Sequence, residues 1–435
     1  MSGTEVGIAG IILFFVLVFL NLPIGIAMAL IGVAGVGVLL GVEKGLTVLG
    51  LELFRVSSTY VFGVVPLFVG MGFLASVSGL SADAFYSINK WIGNVRGGLA
   101  MAATAACALF AAICGCAVAT AGTVAAVSLP EMRKHKYSDT LSLGVLAAGG
   151  NLGFLIPPSL GFILYAILTE QSIGVLFISG ILPGLLLTVL FMFTIWLMVR
   201  INPRLAPTTP SASWMERLVS LRYLTGAVAV IVLVLGGIYA GIFTPTEAGG
   251  IGVLGVLIVG LINRKLKWQG LISALYETIR MTGLMFLLVG GAMVFSRFIA
   301  LTQLPMVLAG TIGALAISPY AVLAIVLIFY ILVGFIMDIM AMILLLAPIF
   351  HPVLVALGFD PVWLACITIV TVLMGHISPP VGIVVYALSG MVKDAPVFTI
   401  FRGALPFLGA MLVCLIILIV FPEIVLVLPN LMRPG

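Results

Sequence analysis

Two stretches rich in glycine and proline decide the fold: GGNLGFLIPPS at residues 149–159 and GHISPPVG at residues 375–382. Proline has no amide hydrogen and glycine relaxes a helix, so we expect both stretches to unwind a helix and leave carbonyl oxygens without partners. Such oxygens suit a hard monovalent cation such as sodium, whereas a transition metal would call for His or Cys clusters. A simple helix kink is the alternative for either stretch alone, but two such stretches favour a pair of ion sites.

The composition of the chain is that of a membrane protein. Of its 435 residues, 63% are hydrophobic and only 8% are charged, whereas soluble domains carry about 25% charged residues. Apolar runs of about 20 residues cross a bilayer as helices, and continuous runs favour helices over a β-barrel. We therefore predict an all-α polytopic membrane protein. The runs lie at 7–41, 58–79, 173–199, 223–242, 246–263, 282–300 and 403–422.

The basic residues predict the orientation in the membrane. Loops rich in Lys and Arg at 133–136, 200–222 and 264–267 are separated by two predicted crossings each, so all three lie on one side, which the positive-inside rule makes cytoplasmic. The net charge of +5 follows from these loops, and we expect no binding of nucleic acid. The basic residues left at or toward the periplasmic side are Lys44, Arg55, Arg297 and Arg433.

The two halves of the chain resemble each other. Residues 110–158 align with 332–380 without a gap at a shift of 222 residues, so that Pro157-Pro158 falls on Pro379-Pro380. The predicted topology gives the two copies opposite orientations, which indicates an inverted repeat, an architecture of many secondary transporters. Chance similarity between two hydrophobic stretches is the alternative.

Each half contains a predicted hairpin and a predicted broken helix. The hairpins turn at 113–117 and 335–339 between apolar stretches that are short for a full span, so we expect re-entrant hairpins. The polar segment 200–222, with three prolines including Pro210, is a cytoplasmic linker between the halves. The predicted units are a first half (1–199) with a hairpin over about 98–130 and a broken helix over about 140–168, and a second half (223–435) with an arm over about 266–281, a hairpin over about 319–357 and a broken helix over about 361–392.

Motifs along essentially the whole chain carry a resemblance to a known family. They are AGGNLG at 148–153 with IPPS at 156–159, TEQSIG at 169–174, GILPG at 180–184, GIFTPTEA at 241–248, FSRF at 295–298 and SPPVG at 378–382. With these motifs the chain resembles the large membrane subunit of the tripartite ATP-independent periplasmic (TRAP) transporters, DctM-like, within the ion transporter superfamily. The resemblance implies a scaffold domain and a transport domain that carries both hairpins and moves as an elevator in the bacterial inner membrane.

The function implied by the resemblance is sodium-coupled import of a small carboxylate, such as a C4-dicarboxylate, sialic acid or a similar organic acid, with two or more sodium ions. A periplasmic substrate-binding protein is expected to deliver the substrate. A small membrane subunit is expected as a separate chain, because the sequence starts directly at the large subunit's first helix, and lipid surrounds both. Neither an enzyme nor an ATP-driven pump is expected, since no HExxH or GxxxxGK[ST] motif is present. The alternative function is an ion-coupled carboxylate carrier without a binding protein, or a channel.

The candidate site residues form three sets. The first sodium site is expected at Cys114, Gly115, Gly149, Asn151 and Pro157, the second at Asp338, Gly375, Ser378 and Pro379, and the substrate contacts at Thr120, Pro158, Ser159, Ser378, Pro380 and Arg297.

Several of these residues have two interpretations. Asp338 either binds the second ion or caps a helix. Arg297 either snorkels to the membrane interface or attracts a substrate carboxylate. The hydroxyl groups of Thr120, Ser159 and Ser378 either bind the substrate or bond only their own backbone.

The chain departs from the family pattern at the first hairpin. Cys114, Cys116 and Ala117 stand where small hydroxyl residues are usual, so backbone ligands are expected there. The amide of Asn151, beside two glycines, needs a partner and can supply an oxygen to a cation. His376 and the run at 384–386 are also less usual, and we expect them to influence substrate choice.

Overall fold

The structure, a computed structural model, describes residues 2–208, 212–314, 318–380 and 382–432, with only the backbone at 312–314. Pro210 of the predicted linker, Val381 of the second proline motif and Arg433 lie outside the described residues. Every regular element in the described ranges is a helix. The helices are α1 (Gly3–Phe19), α2 (Ile24–Leu40), α3 (Val42–Ser58), α4 (Val64–Val77), α5 (Leu80–Ile92), α6 (Gly98–Cys114), α7 (Ala117–Lys134), α8 (Asp139–Leu155), α9 (Leu160–Thr169), α10 (Ile173–Ser179), α11 (Ile181–Ile201), α12 (Trp214–Ile231), α13 (Gly237–Tyr239), α14 (Pro245–Ile262), α15 (Trp268–Leu301), α16 (Leu304–Ala314), α17 (Pro319–Gly334), α18 (Ile339–Ala356), α19 (Pro361–Ile377), α20 (Ile383–Met391), α21 (Val397–Val420) and α22 (Glu423–Met432), with short 3-10 turns at Tyr60–Gly63 and Pro203–Leu205 and a π-helical turn at Val232–Gly236.

Within the described ranges, eight helical stretches are long and apolar enough to cross a membrane. The prediction of an all-α polytopic membrane protein is therefore confirmed. The stretches are Tyr60–Val77, Asp139–Thr169, Ile173–Ile201, Trp214–Tyr239, Pro245–Ile262, Trp268–Leu301, Ile339–Ala356 and Val397–Val420.

Two enclosed helices, α8 and α19, form the centre of one group of helices. Every residue of α8 from Leu141 to Leu155 and of α19 from Val362 to Ile377 is buried. Helices α6, α7, α11 and α21 pack around α8, and α17, α18 and α21 pack around α19. A second group packs around α15, which contacts α2, α3 and α4. The proline motifs therefore lie at the ends of the two enclosed helices.

Two helix pairs occupy the positions of the predicted hairpins. α6 and α7 meet at Gly115, which has a left-handed φ of +65°, and Cys116 is the N-cap of α7. α17 and α18 meet over residues 335–337, and Asp338 is the N-cap of α18. The four helices have 17, 18, 16 and 18 residues. At about 1.5 Å per residue they are roughly 24–27 Å long, slightly under the ~30 Å of a bilayer core, and α18 is also one of the eight stretches long and apolar enough to cross it.

The helix breaks are shorter than the sequence predicted. α8 continues to Leu155 and α19 to Ile377, so Gly149, Asn151 and Gly375 lie inside regular helices. The prediction that both glycine and proline stretches unwind along their whole length is therefore wrong in extent. Glycines in an enclosed helix keep their hydrogen bonds, and only the prolines, which have no N–H, end the helix. The peptide bond between the two prolines is cis in both breaks.

Three other elements differ from the prediction. The apolar stretch 7–41 forms two helices, because the chain turns before Pro23, the N-cap residue of α2. α12 begins inside the predicted linker, where Ser213 and Glu216 form a capping box. The predicted arm and the span that follows it are one continuous helix, α15.

Candidate functional site

The turn of the first hairpin lies against the first proline break. The carbonyl oxygen of Gly115 accepts a hydrogen bond of 3.2 Å from the amide of Leu160 at the start of α9. A Cβ atom at Gly115 would collide with the carbonyl oxygen of Pro158. Glycine is therefore required here both by the positive φ and by the close approach of two backbones.

The first turn of α7 also packs closely against α8. A Cβ atom at Gly153 would lie 2.7 Å from the carbonyl oxygen of Cys116 and would collide with the hydroxyl of Thr120. Thr120 is fully buried, and its hydroxyl has no hydrogen-bond partner within the described part of the chain. Buried hydroxyls normally have a partner, so the Thr120 hydroxyl is available to a ligand.

The two candidate serines bond the backbone of the helix ends beside them. The hydroxyl of Ser159 donates to the carbonyl oxygen of Phe154 and accepts from the amide of Phe162 at 3.4 Å. The hydroxyl of Ser378 donates to the carbonyl oxygen of Met374 at 2.6 Å. Both hydroxyl protons are therefore engaged, and the remaining oxygen lone pairs can serve a cation or a donor.

The second hairpin meets the second break in a similar way. A Cβ atom at Gly375 would lie only 2.7 Å from the Cα atom of Gly334, at the end of α17. Asp338 Oδ2 accepts from the amide of Met340 at 3.1 Å and so caps α18, while the Asp338 side chain stays 35% exposed. The carbonyl oxygen of Pro380 accepts from the Tyr386 hydroxyl at 3.2 Å.

One buried amide joins the two enclosed helices near their proline ends. Asn151 Nδ2 donates to the carbonyl oxygen of Leu373 at 2.9 Å, and Asn151 Oδ1 lies 3.2 Å from His376 Nδ1. His376 Nε2 lies 3.8 Å from Asp338 Oδ1. Side chains from α8, α19 and the second hairpin thus lie side by side, in the order Asn151, His376 and Asp338. The sequence repeat offered a signal for the contact between Asn151 and Leu373, because the shift of 222 residues makes these two positions equivalent.

The ends of eight helices bring opposite partial charges to this region. α7, α18, α9 and α20 begin at the turns and breaks, while α6, α17, α8 and α19 end there. Helix N-termini favour anions and C-terminal carbonyl groups favour cations. Together with the Asn151 amide, the Thr120 hydroxyl and the Asp338 carboxylate, these carbonyl groups form an oxygen-rich donor set that fits a hard cation.

Arg297 lies outside this group. Its Nε is 3.3 Å from Glu52 Oε1 on α3, and the Arg297 side chain is 61% exposed. Both residues line a cavity of about 120 Å³ with Arg55 and Glu170, next to a larger cavity of about 390 Å³ between α9, α15, α16 and α18. No ion pair found among the described residues joins Arg297 to a hairpin or a break. A contact between Arg297 and the substrate therefore stays a prediction, and it would occur away from the turns and breaks.

A charged cluster at the predicted cytoplasmic ends escaped the sequence interpretation. Arg133 at the end of α7 makes two hydrogen bonds of 2.9 Å to Asp139 at the start of α8. Its Nη1 is also 3.0 Å from Asp394 Oδ2 in the connection between α20 and α21. The hydrogen bond from Arg133 holds the pKa of Asp394 below its ordinary value, and the two carboxylates raise the pKa of Arg133. The cluster ties the end of the first hairpin to the start of α8 and to the connection that follows α20.

Comparisons with known proteins agree with this architecture. The family described as tripartite ATP-independent periplasmic transporter, DctM component, matches residues 11–424. The C4-dicarboxylate TRAP transporter large permease protein DctM of Pseudomonas aeruginosa is 36% identical over 383 residues, which cover 88% of this chain and 89% of that protein. The sialic acid TRAP transporter large permease protein SiaM of Vibrio cholerae is 32% identical over 416 residues, covering 95% and 96%. The solved structure of the YdaH transporter of Alcanivorax borkumensis aligns with a TM-score of 0.63 and 19% identity over 88% of this chain and 90% of that chain, a likeness of fold alone.

Proposed function

Because the chain belongs to the family of DctM components of tripartite ATP-independent periplasmic transporters, we propose that it imports a small organic carboxylate together with sodium ions by an elevator-type movement. Membership of this family makes the chain part of a transporter and a multi-pass protein of the bacterial inner membrane. The prediction that the chain is not an enzyme is confirmed by the same relatives, which are transporter permeases. The observation that carries the proposal is the meeting of two helix-pair turns and two proline breaks around the Asn151 amide.

We assign both helix pairs as re-entrant hairpins that enter from opposite sides of the membrane. Arg96 precedes α6, and Arg133 and Lys134 end α7, so both outer ends of the first hairpin carry the positive charge typical of the cytoplasmic side. α17 and α18 contain no Lys or Arg, which supports a periplasmic origin for the second hairpin. In this arrangement the turns and breaks meet at half depth and form one inverted repeat.

The sodium ions are assigned to the carbonyl ends of the enclosed helices. The prolines of the two breaks supply no amide hydrogen to the last carbonyl groups of α8 and α19, and at half depth no water replaces it, so a cation is a favourable partner. The first site takes oxygens from Cys114, Gly115, Gly149, Asn151 and Pro157, and the second from Asp338, Gly375, Ser378 and Pro379.

The substrate carboxylate is assigned to the space between the two turns. Helices α7, α9, α18 and α20 begin in this region, and helix N-termini favour an anion. The unpartnered hydroxyl of Thr120 supports a hydrogen bond to the same ligand. The contacting residues are then Thr120, Pro158, Ser159, Ser378 and Pro380, while Arg297, which lies outside this space, is proposed to contact the substrate at another stage of transport.

The movement is assigned to the group of helices around α8 and α19, which carries the hairpins, relative to the group around α15.

A tripartite transporter has three components, so this chain works with two partners. We propose that they are a small membrane subunit on a separate chain and a periplasmic binding protein that delivers the carboxylate. The relatives named large permease proteins match 88% and 95% of this chain, which supports a division into a large and a small subunit.

Reconstitution in proteoliposomes tests the proposal. Uptake of the carboxylate is expected to require an inward sodium gradient, the small subunit and the cognate binding protein. Uptake that persists without sodium contradicts the coupling, and uptake without the binding protein supports the alternative carrier. Exchange of labelled for unlabelled substrate across the membrane is expected of a carrier and is absent from a channel.

A further inference from the structure

The hydrogen bonds of Asn151 fix the orientation of His376. Asn151 Nδ2 is the donor to the carbonyl oxygen of Leu373 at 2.9 Å, so the other amide atom, Oδ1, faces His376 Nδ1 at 3.2 Å. An amide oxygen only accepts hydrogen bonds, and therefore Nδ1 carries the imidazole proton. In the neutral ring Nε2 then presents a lone pair.

That lone pair has no partner in the protein. His376 is 6% exposed, and its Nε2 atom is buried without a hydrogen bond among the described residues. The nearest charged atom is Asp338 Oδ1 at 3.8 Å, beyond the ~2.7–3.2 Å of a hydrogen bond. Two acceptors thus face each other, which is unfavourable unless a positive charge lies between them.

We propose that His376 Nε2 and Asp338 Oδ1 bind one monovalent cation together, and that His376 is a ligand of the second sodium site. The distance fits this role. For a cation with ligands at about 2.3–2.6 Å, as for calcium, whose radius is close to that of sodium, two ligand atoms this far apart subtend roughly 100°. Such an angle is ordinary between neighbouring ligands. The inference rests on the proposed sodium coupling and adds a nitrogen ligand that this chain carries at position 376.

The arrangement also explains why the histidine sits beside Asn151. The amide holds the ring in the tautomer that leaves a lone pair on Nε2, the nitrogen 3.8 Å from Asp338 Oδ1, in the way that outer hydrogen bonds orient metal-binding histidines elsewhere. Because the same amide belongs to α8, the orientation of this ligand is set by the other half of the repeat.

Sodium titration of thermal stability, without substrate or partner proteins, tests the proposal. Purified protein is titrated with NaCl against choline chloride at constant ionic strength, because a cation that binds only the folded state raises the melting temperature as its concentration passes the dissociation constant. We expect His376→Leu and Asp338→Asn each to raise the sodium concentration at half effect by about tenfold or more. His376→Gln, which keeps an acceptor and a donor, is expected to restore part of the affinity.

A double-substitution cycle decides whether the two residues share one ion. If they do, His376→Leu and Asp338→Asn together weaken sodium binding by much less than the product of the single effects, because groups at one site are not additive. Independent effects, or an unchanged sodium midpoint in His376→Leu, overturn the proposal. An unchanged midpoint is also the result expected if the ring is protonated and pairs directly with Asp338.

A second buried histidine supplies the matched control. His351 in α18 is 9% exposed, and its Nδ1 lies 2.9 Å from the Tyr165 hydroxyl. His351→Leu is expected to lower the melting temperature without sodium while leaving the sodium midpoint unchanged; a shift equal to that of His376→Leu contradicts the assignment. If sodium does not change the melting temperature of the wild-type protein, the proposed sodium coupling itself is contradicted. Failure of the sodium coupling can therefore be distinguished from failure of the His376 assignment.

Discussion

At the scale of single residues, Asp338 has two roles to separate, because it caps α18 and is also assigned to an ion. Asp360 supplies the comparison, since it caps α19 by accepting from the amides of Val362 and Trp363 at 2.8 and 2.9 Å. We predict that Asp338→Ala raises the sodium concentration for half-maximal uptake by about tenfold. Asp360→Ala is expected to destabilise the protein by about 1 kcal/mol, the usual loss for a helix cap, without changing that concentration. If the sodium concentration for half-maximal uptake is the same in the two variants, Asp338 acts only as a helix cap.

Gly153 is the residue whose lack of a side chain lets the first hairpin approach α8. A methyl group there would lie 2.7 Å from the carbonyl oxygen of Cys116, so Gly153→Ala is expected to destabilise the protein by about 1–3 kcal/mol through overpacking. Gly409 in α21 has nothing within 4 Å of its Cβ position, and Gly409→Ala is expected to leave the melting temperature unchanged or raise it. Melting temperatures in detergent measure both, and similar values for the two variants would show that the hairpin can move away freely.

At the scale of helices, Arg133 joins three elements in a way that depends on pH. Its hydrogen bond holds the pKa of Asp394 below the ordinary value. The folded state therefore prefers ionised Asp394, and the stabilisation is complete above the ordinary aspartate pKa of about 3.9 and is lost as the pH falls through the lowered pKa.

We predict that Asp394→Asn lowers the melting temperature slightly at pH 7 and that this difference shrinks as the pH falls below 4. Asp394 is exposed, and solvent screens exposed pairs, so the difference is expected to be small and to decrease in high salt. Thermal melts of the wild type and Asp394→Asn at both pH values measure it. A difference that stays constant with pH would mean that the Arg133 contact does not favour the ionised carboxylate.

Helix boundaries were predictable where local chemistry sets them. The paired prolines at 157–158 and 379–380 remove two successive amide donors, and α8 and α19 end just before them. The glycines before them were predicted to unwind and do not, because enclosure by neighbouring helices is a property of the packing that a local pattern does not contain. The capping box of Ser213 and Glu216 indicates the start of a helix. This start was missed in the sequence because the prolines nearby favoured a linker over the whole segment.

At the scale of the whole molecule, most side-chain partners were beyond prediction. Asn151 was predicted to need a partner, yet the identity of His376 as that partner depends on how the two halves meet. Arg297 was considered for a substrate or for the membrane interface, and its partner is Glu52 on a distant helix. Such pairs are fixed by tertiary packing, whereas the repeat, the turns and the proline breaks each have a local signal.

The inverted repeat makes a prediction about the two faces of the membrane, because each hairpin must begin and end on the same side. The native cysteines are buried, apart from the partly buried Cys116, so single cysteines introduced at exposed hairpin ends will dominate labelling. We predict that an impermeant maleimide labels Ser318→Cys and Ala356→Cys in intact cells. Arg96→Cys and Lys134→Cys are expected to react only in inside-out vesicles, since the basic residues of this hairpin hold it on the cytoplasmic side. If the two ends of either helix pair react from opposite sides, that pair crosses the bilayer an odd number of times and is not a hairpin, and the ion sites at half depth lose the turn on which they depend.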